Sequence, residues 1–268
     1  MADLDLLRGH LNDLGRVVLG YSGGVDSALL AVAGTQALGP GRFLAVIGRS
    51  ASYPVAQWRT ARDLAARFRV LLLELDTHEL GDPDYLRNAP DRCYFCKSEL
   101  WSRLDEVARE RGAVVIDGTN ADDLGEHRPG LRAAAEHRVR SPLAELGWSK
   151  AEVREGSRAL GLPTWDAPAA PCLSSRVRYG LTITPERLRQ VEDGESYLRE
   201  LGVTGDLRVR HLDTVARIEV GSAQQSRLRE RWDEVERTFG ALGFDRVELD
   251  PEGYRRGGLL ALVPPAAG

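Results

Sequence analysis

The sequence has no long apolar segment and does not start like a secretory leader. Its 268 residues are 43% hydrophobic and 28% charged, yet no run approaches the roughly 18 consecutive apolar residues of a membrane-spanning helix. The opening residues, MADLDL, include two acids and lack the basic and apolar parts of a signal peptide. We therefore expect a globular protein without a membrane span, located in the cytoplasm.

Cysteine, lysine and excess positive charge are also scarce. The three cysteines cannot all pair with one another, and a reducing compartment disfavours disulfides. Basic residues number 36 and acidic residues 40, which gives a net charge of −4. A nucleic-acid partner is therefore not expected, because the chain has no global positive field. Among the basic side chains only Lys97 and Lys150 are lysines, and the others are arginines.

Short apolar strands alternate with helical segments through the first two thirds of the chain. This alternation, with strands that read as continuous apolar runs, is typical of an α/β fold with a doubly wound parallel sheet. A proline-rich stretch ends at Cys172, and a smaller α+β unit follows a boundary near residue 180. We predict two domains, residues 1–180 and residues 181–268. The predicted strands are 16–21, 43–47, 70–75, 113–117, 207–212, 215–220 and 246–249, and the predicted helices are 28–38, 55–68, 98–112, 150–160, 186–201 and 224–239.

A glycine-rich turn, SGGVDS, joins the first predicted strand to the first predicted helix. Backbone N–H groups and the helix N-terminus converge there, which favours anion binding. The serines add hydroxyl donors, and Asp26 can hold a magnesium ion that bridges phosphates. An ordinary glycine turn is the alternative, but six specific residues at a strand-to-helix junction favour a nucleotide site. The residues of this SGGVDS loop are Ser22, Gly23, Gly24, Val25, Asp26 and Ser27.

Two cysteines, Cys93 and Cys96, have a spacing that can chelate a metal ion or an iron–sulfur cluster. Alternatives are a pair of semi-buried thiols, or half of a zinc site completed by Cys172 and a histidine. The neighbouring cations Arg92 and Lys97 favour a chemical role, because they would lower thiol pKa values and suit an anionic reactant. Three thiolates can hold a [4Fe–4S] cluster and leave one iron open for a ligand such as sulfide.

The SGGVDS loop resembles the PP-loop of the ATP pyrophosphatase superfamily, also described as adenine nucleotide alpha hydrolase-like. Its members release pyrophosphate from ATP as AMP is transferred to an acceptor. The resemblance implies ATP and Mg²⁺ as cofactors. It also implies that the end of the second strand, residues 46–48, contacts adenosine, with Val46 as a site residue. The loop after the fourth strand, DGTN, is expected to lie near the nucleotide through Gly118 and Thr119.

Six segments together resemble one family in this superfamily. They are GYSGGVDSALL, DRCYFCKSEL, DGTNADD, SPL with WSKAEVRE, PCLSSR, and LRVRHLDTVARIEV. The family comprises the LarE-type ATP-dependent sulfur transferases, which make the nickel-pincer nucleotide cofactor of lactate racemase and related enzymes. The resemblance implies a pyridinium-3,5-biscarboxylic acid mononucleotide substrate whose carboxylates are adenylated and then become thiocarboxylates. It also implies a homo-oligomer, a trimer or larger.

The family resemblance allows two sources of sulfur. In one, the cysteine of PCLSSR, Cys172, gives up its own sulfur and becomes dehydroalanine. In the other, a CxxC pair joins that cysteine to hold a [4Fe–4S] cluster, and sulfide on the open iron is transferred. The presence of Cys93, Cys96 and Cys172 favours the cluster, with sulfide or a sulfur donor as partner, and sacrifice of Cys172 is the alternative. The expected catalytic residues are Cys172, Asp26 and Ser27.

Two arginines, Arg208 and Arg210, alternate along a predicted strand and therefore share one face. A phosphate fits between two such guanidiniums. A solvated strand face is the alternative, but the family resemblance favours a site for the phosphate of the substrate mononucleotide. Further candidates are Glu192, Glu195 and Glu219 for a metal ion and Asp122, Asp123 and Arg128 near the nucleotide, whereas His211 is expected to be a surface histidine.

Two other functions use parts of the same pattern. A tRNA thiolation enzyme would combine the PP-loop, AMP activation and a three-cysteine cluster with a nucleic-acid surface. An acidic pI near 5.8, no further CxxC pair and no basic extension argue against it. A nucleotide-binding sensor without turnover is the non-enzymatic alternative, and an assay for pyrophosphate release distinguishes it from the enzymes.

Overall fold

The computed structural model describes residues 2–125, 129–168 and 170–255. The chain divides into two compact units. Unit 1 contains the described residues of Met1–Glu79 and Cys93–Ala170, and unit 2 contains those of Leu80–Arg92 and Pro171–Gly268. The segment Leu80–Arg92 thus groups with residues far along the chain. The predicted domain boundary near residue 180 stays a prediction.

Seven strands and eleven α-helices are present in the described residues. In chain order, the strands are β1 Val17–Gly20, β2 Phe43–Arg49, β3 Leu72–Asp76, β4 Val114–Ile116, β5 Leu207–His211, β6 Val215–Val220 and β7 Arg246–Leu249. The helices are α1 Leu4–Asp13, α2 Val25–Leu38, α3 Val55–Arg67, α4 Pro83–Leu86, α5 Arg92–Arg111, α6 Pro129–Glu136, α7 Pro142–Glu145, α8 Lys150–Ala159, α9 Pro185–Glu200, α10 Ser222–Glu230 and α11 Trp232–Ala241.

Unit 1 is built on a four-stranded parallel sheet with the order β3-β2-β1-β4. Side chains alternate between the two faces of β1. Val17 and Leu19 enter an apolar cluster with Leu29 of α2, whereas Val18 enters a second cluster with Trp101 of α5. Helices therefore cover both faces, which confirms the predicted doubly wound α/β fold. The strand order reverses at β1, and open sheets of this kind bind ligands at such a point.

Strand β3 differs from its prediction as a fully buried strand. It begins at Leu72 and lies at the edge of the sheet, so that β2 alone among the described strands pairs with it. Leu71 and Leu73 are 42% and 37% exposed. Leu72 packs on the unit 1 core. Because the strand lies at the edge of the sheet, the side chains on its other face are partly exposed. The prediction that 70–75 is buried on both sides was therefore wrong.

Two predicted helices differ most from the observed ones. Helix α5 begins at Arg92, six residues before the predicted start, so that both cysteines of the CxxC pair are helical. The single helix predicted over 224–239 is two helices, because the backbone leaves the helical conformation at Arg231 (φ −118°, ψ 23°). No glycine or proline lies near this break, and the sequence therefore carried no local signal for it. No helix among the described residues has the length and apolarity to cross a membrane.

Unit 2 contains a three-stranded sheet in which β5 pairs antiparallel with β6, and β6 pairs parallel with β7. Its core includes Leu198 of α9, Val209 and Ile218 of the sheet, and Phe239 of α11. Helix α9 begins at a regular cap, since the Thr184 side chain accepts a hydrogen bond from a backbone N–H of the first turn. The smaller α+β unit predicted for the C-terminal part is confirmed.

His211, expected on the surface, is buried in β5 with 2% of its surface exposed. Its Nε2 lies 2.9 Å from Oε1 of Gln190. Burial and, to a lesser extent, the nearby charge of Arg187 lower the pKa of His211 to about 4. The ring is therefore neutral at pH 7 and serves the packing of unit 2. The prediction was wrong because every residue of β5 is buried, which the alternating charge of its sequence did not reveal.

Gly34 provides a test of the packing between α2 and β2. A Cβ placed on Gly34 would lie 2.1 Å from Cε2 of Phe43. We expect Gly34→Ala to lower the free energy of unfolding by about 1–3 kcal/mol, although alanine favours a helix. The control is Gly9→Ala in α1, whose Cβ would meet no atom within 4 Å and which should be neutral or stabilising. Urea unfolding followed by circular dichroism compares the two, and equal midpoints would contradict this account of the packing.

Candidate active site

The SGGVDS loop lies between the end of β1 and the start of α2 in unit 1. Gly23 has a φ of +71°, and a Cβ there would lie 2.6 Å from Cβ of Ala61. Glycine is therefore required both by the backbone conformation and by the close approach of α3. Gly24 is the N-cap of α2, and no described side chain caps this N-terminus. The first N–H groups of α2 are thus positioned to bind an anion.

The two serines of the loop lie side by side. Ser27 Oγ is 3.2 Å from Ser22 Oγ and donates to the carbonyl oxygen of Gly24 at 3.1 Å. The carbonyl oxygen of Ser22 accepts hydrogen bonds from Tyr53 Oη at 2.9 Å and from Gln57 Nε2 at 2.8 Å. The start of α3 therefore holds the loop from outside, and both hydroxyls are placed where the sequence led us to expect phosphate donors.

Asp26 brings three distant segments together. Its Oδ1 accepts from Nδ2 of Asn120 at 3.0 Å, and its Oδ2 accepts from Nζ of Lys150 at 2.6 Å. Gly118 packs against the same loop, because a Cβ there would lie 3.0 Å from the backbone nitrogen of Ser27. Lys150 was not among the site residues predicted from the sequence. A signal was present, since Lys150 is one of only two lysines in the chain.

The DGTN loop after β4 is fixed by Asp117. Its Oδ1 accepts from the backbone nitrogen of Thr119 at 3.0 Å and from Ser141 Oγ at 2.8 Å. Its Oδ2 accepts from Thr119 Oγ1 at 2.8 Å. The hydroxyl of Thr119 is thus committed to Asp117, and the loop is positioned beside the SGGVDS loop without help from a ligand.

The carboxylates of Asp122 and Asp123 accept hydrogen bonds from backbone nitrogens, and no contact of theirs with the SGGVDS loop is among those described. Asp122 Oδ2 accepts from the backbone nitrogen of Lys150 at 2.9 Å, which fixes the first turn of α8. Asp123 Oδ2 accepts from the backbone nitrogen of Asn120 at 3.2 Å. Both acids therefore orient the two side chains that bind Asp26. Arg128 lies outside the described residues.

Val46 lies inside β2 rather than at its end. Its side chain is fully buried, and its carbonyl oxygen accepts from the backbone nitrogen of Tyr21 at 2.8 Å. The strand continues to Arg49, where a cavity of about 450 Å³ is lined in part by Ser50, Tyr53 and Trp58. Because Tyr53 also binds the SGGVDS loop, this cavity adjoins the candidate phosphate site.

The CxxC pair occupies the first two turns of α5. Cys93 is exposed and Cys96 is half-buried, and residues three apart share one face of a helix. Lys97 lies nearby, with Nζ 4.9 Å from the ring centroid of Trp101. None of the three cysteines forms a disulfide. Cys172, the third thiol, belongs to unit 2.

The donor chemistry fits an iron–sulfur cluster, because thiolates are its usual protein ligands and the chain has three thiols. Within the ranges that the structure describes, no group of three or more histidine, cysteine or acidic side chains is gathered to hold a metal ion. Cys93 and Cys96 lie on one helix of unit 1, and a three-thiol site stays a prediction.

Cys172 is followed by a 3₁₀ turn, Leu173–Arg176, in unit 2. Its carbonyl oxygen accepts hydrogen bonds from Ser175 Oγ at 2.7 Å and from Arg176 Nη1 at 3.0 Å. Arg176 is 4% exposed and forms a two-point ion pair with Glu195, at 2.9 Å and 3.2 Å. A buried guanidinium therefore sits directly against the backbone of the cysteine.

Arg208 and Arg210 lie on one face of β5 and are 7% and 5% exposed. Arg210 Nη2 donates to Glu219 Oε2 at 2.7 Å and Nη1 donates to the carbonyl oxygen of Ser175 at 3.0 Å. Burial and the positive charge of Arg176 lower the pKa of Arg208 below its usual range. We call Arg176, Arg208 and Arg210 the arginine cluster.

The arginine cluster concentrates positive charge in the interior of unit 2. Arg176 is paired with Glu195 and Arg210 with Glu219. The Nε of Arg210 is buried and has no hydrogen-bond partner among the described residues. An anion would supply this nitrogen with a partner and add a counter-charge. The alternative of a solvated strand face was wrong, whereas a metal role for Glu219 stays a prediction.

Comparisons with known proteins agree with this arrangement. Residues 4–114 match the family model of NAD synthase. An uncharacterised protein of Synechocystis is 44% identical over 259 residues, which cover 96% of each chain. An uncharacterised protein of Methanocaldococcus jannaschii is 30% identical over 90% of this chain and 91% of its own.

A third relative has a descriptive name. The pyridinium-3,5-bisthiocarboxylic acid mononucleotide synthase of Lactiplantibacillus plantarum is 36% identical over 248 residues, which cover 92% of this chain and 90% of that protein. The identity extends across both units. This chain therefore belongs to the same family, the LarE-type ATP-dependent sulfur transferases of the PP-loop superfamily.

Proposed function

We propose that the protein adenylates the carboxylates of pyridinium-3,5-biscarboxylic acid mononucleotide and converts them to thiocarboxylates. The name of the Lactiplantibacillus relative supports this product class. The observation that carries the proposal is the contact of Arg176 with the carbonyl oxygen of Cys172. Through it, a buried site suited to an anion adjoins a thiol, as sulfur transfer to a nucleotide requires.

The SGGVDS loop is proposed to hold the pyrophosphate part of ATP while a substrate carboxylate attacks the α phosphorus. Asp26 would hold Mg²⁺ in part, and release of Lys150 from Asp26 would free an ammonium group for a phosphate oxygen. Both cations would offset charge on the phosphates. Gly118 and Thr119 stay the expected nucleotide contacts of the DGTN loop. Adenosine is proposed to occupy the cavity beside Tyr53, with Val46 only in the strand beneath it.

Variants of the SGGVDS loop and of Lys150 test the ATP step. Asp26→Asn combined with Ser27→Ala should abolish substrate-dependent pyrophosphate release, because a magnesium ligand and a phosphate donor are lost. Lys150→Ala should reduce the release by about 100-fold. The matched control is Arg154→Ala, which removes an exposed cation from the same helix and should leave the rate unchanged. A coupled pyrophosphate assay measures all three, and unchanged release in the double variant would refute the assignment.

The arginine cluster is proposed to bind the phosphate of the substrate mononucleotide. Arg208 and Arg210 supply buried donors on one strand face, and an ionised phosphate accepts several charge-assisted hydrogen bonds at once. Glu219 then serves to hold Arg210 in place, since the two side chains are paired at 2.7 Å. Burial strengthens this recognition, because charges attract more strongly where water is excluded.

Replacing these arginines should weaken substrate binding without changing ATP binding. We expect Arg208→Gln to raise the KM for the mononucleotide roughly 10-fold or more, because a buried charge-assisted hydrogen bond is lost. Arg208→Gln with Arg210→Gln and Glu219→Gln should raise it further while leaving no buried carboxylate unpaired. Arg246→Ala, a change at a guanidinium with a 68% exposed side chain on β7, is the control. Steady-state kinetics, with the mononucleotide and ATP varied in turn, measures the two KM values. A rise in the KM for ATP instead would contradict the proposal.

Sulfur is proposed to come through the three thiols. Cys93, Cys96 and Cys172 would hold a [4Fe–4S] cluster, and when bound through three thiolates such a cluster offers one iron to an external sulfide. Lys97 directly follows Cys96 in α5 and brings a positive charge to the segment that carries the two thiols. Sulfide or a sulfur donor is the proposed partner, and a homo-oligomer of three or more chains is the proposed assembly.

Iron content separates the two sources of sulfur. Protein purified without oxygen should contain about four irons and four acid-labile sulfides per chain, with a broad visible absorption band. Cys96→Ala should lose both, whereas Ser98→Ala on the same helix should keep them. Iron retained in Cys96→Ala would contradict the ligand assignment. No iron even after reconstitution would favour sacrifice of Cys172, which should then lose about 34 Da after one turnover as its thiol is eliminated.

A further inference from the structure

Three buried polar side chains in the segment Leu80–Arg92 have no part in the proposed chemistry. Tyr85, Asn88 and Arg92 are 1%, 0% and 4% exposed. A polar group withdrawn from water is costly unless it forms hydrogen bonds. The hydrogen bonds described for their side chains link them to one another, to the turn that follows Cys172 or to the two residues after that turn. We call these three residues the anchor network.

Tyr85 contacts the turn nearest to the cysteine. Its Oη lies 2.6 Å from Oγ of Ser174, and the hydrogen bond is fully buried. Ser174 lies only two residues after Cys172 and inside the 3₁₀ turn. Because hydrogen bonds strengthen where water is excluded, this contact fixes the position of the turn relative to α4.

Asn88 holds the segment that directly follows this turn. Its Nδ2 donates to the carbonyl oxygens of Val177 at 3.2 Å and Arg178 at 2.9 Å. Its own carbonyl oxygen accepts from the backbone nitrogen of Gly180 at 3.1 Å. Asn88 has a φ of +54°, a conformation that asparagine adopts more readily than most residues. The side chain and backbone of one residue thus bind three residues of the segment after the turn.

Arg92 completes the network. Its Nη1 donates to Asn88 Oδ1 at 2.6 Å, which orients the amide so that its nitrogen faces the two carbonyl oxygens. Its guanidinium lies over the ring of Tyr179, 4.8 Å from the centroid. An apolar contact could have filled this space at lower cost. A buried cation that orients an amide instead specifies one geometry, and it does so through Nη1, since the Nε of Arg92 has no hydrogen-bond partner among the described residues.

We propose that Tyr85, Asn88 and Arg92 are positioning residues for sulfur transfer. They hold the turn after Cys172 in the one conformation in which its thiol can act, and they do not touch the substrate or ATP. The proposal rests on the proposed role of Cys172, and it applies whether that thiol is a cluster ligand or the sulfur donor. Displacing a reacting group by about 1 Å can cost up to 100-fold in rate, which sets the scale of the expected effect.

The test uses the full chain with Tyr85→Phe and, separately, Asn88→Gly. The first removes one oxygen atom, and the second keeps the positive φ while removing the amide. Thiocarboxylate formation should fall about 10- to 100-fold, whereas substrate-dependent pyrophosphate release should stay within about twofold of the native rate. Tyr197→Phe is the control, since Tyr197 packs on Phe239 of α11 instead, and it should change neither rate.

A second readout does not depend on sulfur transfer. In chelator-treated chain, alkylation of Cys172 by iodoacetamide, quantified by peptide mass spectrometry, should change at least threefold in both variants, while alkylation of Cys93 stays constant. Unchanged alkylation and unchanged thiocarboxylate yield would overturn the proposal. An equal loss of both enzymatic rates would assign a merely structural role. If the native chain releases no pyrophosphate with substrate, the proposed function fails, and the alkylation result still decides the positioning role. Should Asn88→Gly not fold, Tyr85→Phe decides alone.

Discussion

The ion pair between Asp26 and Lys150 is the interaction on which the candidate nucleotide site of unit 1 depends. With Asn120 on its other oxygen, Asp26 joins the SGGVDS loop, the DGTN loop and the start of α8. Side chains from three parts of the chain therefore meet at the carboxyl end of the sheet, next to the N-terminus of α2. The pair is partly exposed, so that Asp26 is within reach of solvent. Exchange of its ammonium partner for a metal ion would therefore carry a small desolvation penalty.

Unit 2 handles charge in a different way. The arginine cluster and the anchor network place four guanidiniums in its interior, each 7% exposed or less. Glu195 and Glu219 form ion pairs with two of them, Arg176 and Arg210. Burying so many charges costs free energy of desolvation. The buried groups contact the turn that follows Cys172, Tyr85 through Ser174 and Arg176 through the carbonyl oxygen of Cys172. The polar interior of unit 2 thus concentrates where the proposed chemistry requires a fixed thiol and a bound anion.

Much of the fold could be predicted from the sequence because local patterns determine it. The β-branched runs at β1, β2 and β4 and the apolar periodicity of α3 reflect burial that each segment carries by itself. The SGGVDS loop was also recognisable from its six residues between a predicted strand and a predicted helix, and the positive φ and close contact of Gly23 explain one of its glycines. The edge position of β3 and the break at Arg231 were not predictable, because neither leaves a mark in the residues around it.

The sequence by itself determined the fold class, the SGGVDS loop, the three thiols and the family. Only the tertiary structure decided how the charged residues are used. The sequence predicted a phosphate site at Arg208 and Arg210, and the structure added Arg176 to it and showed that all three side chains are buried. Lys150, Asn88 and Tyr85 gained their roles from partners 89 to 124 residues away. Such pairings form because the fold brings distant segments together. A hydrogen bond between distant segments leaves no periodic signal in a single sequence.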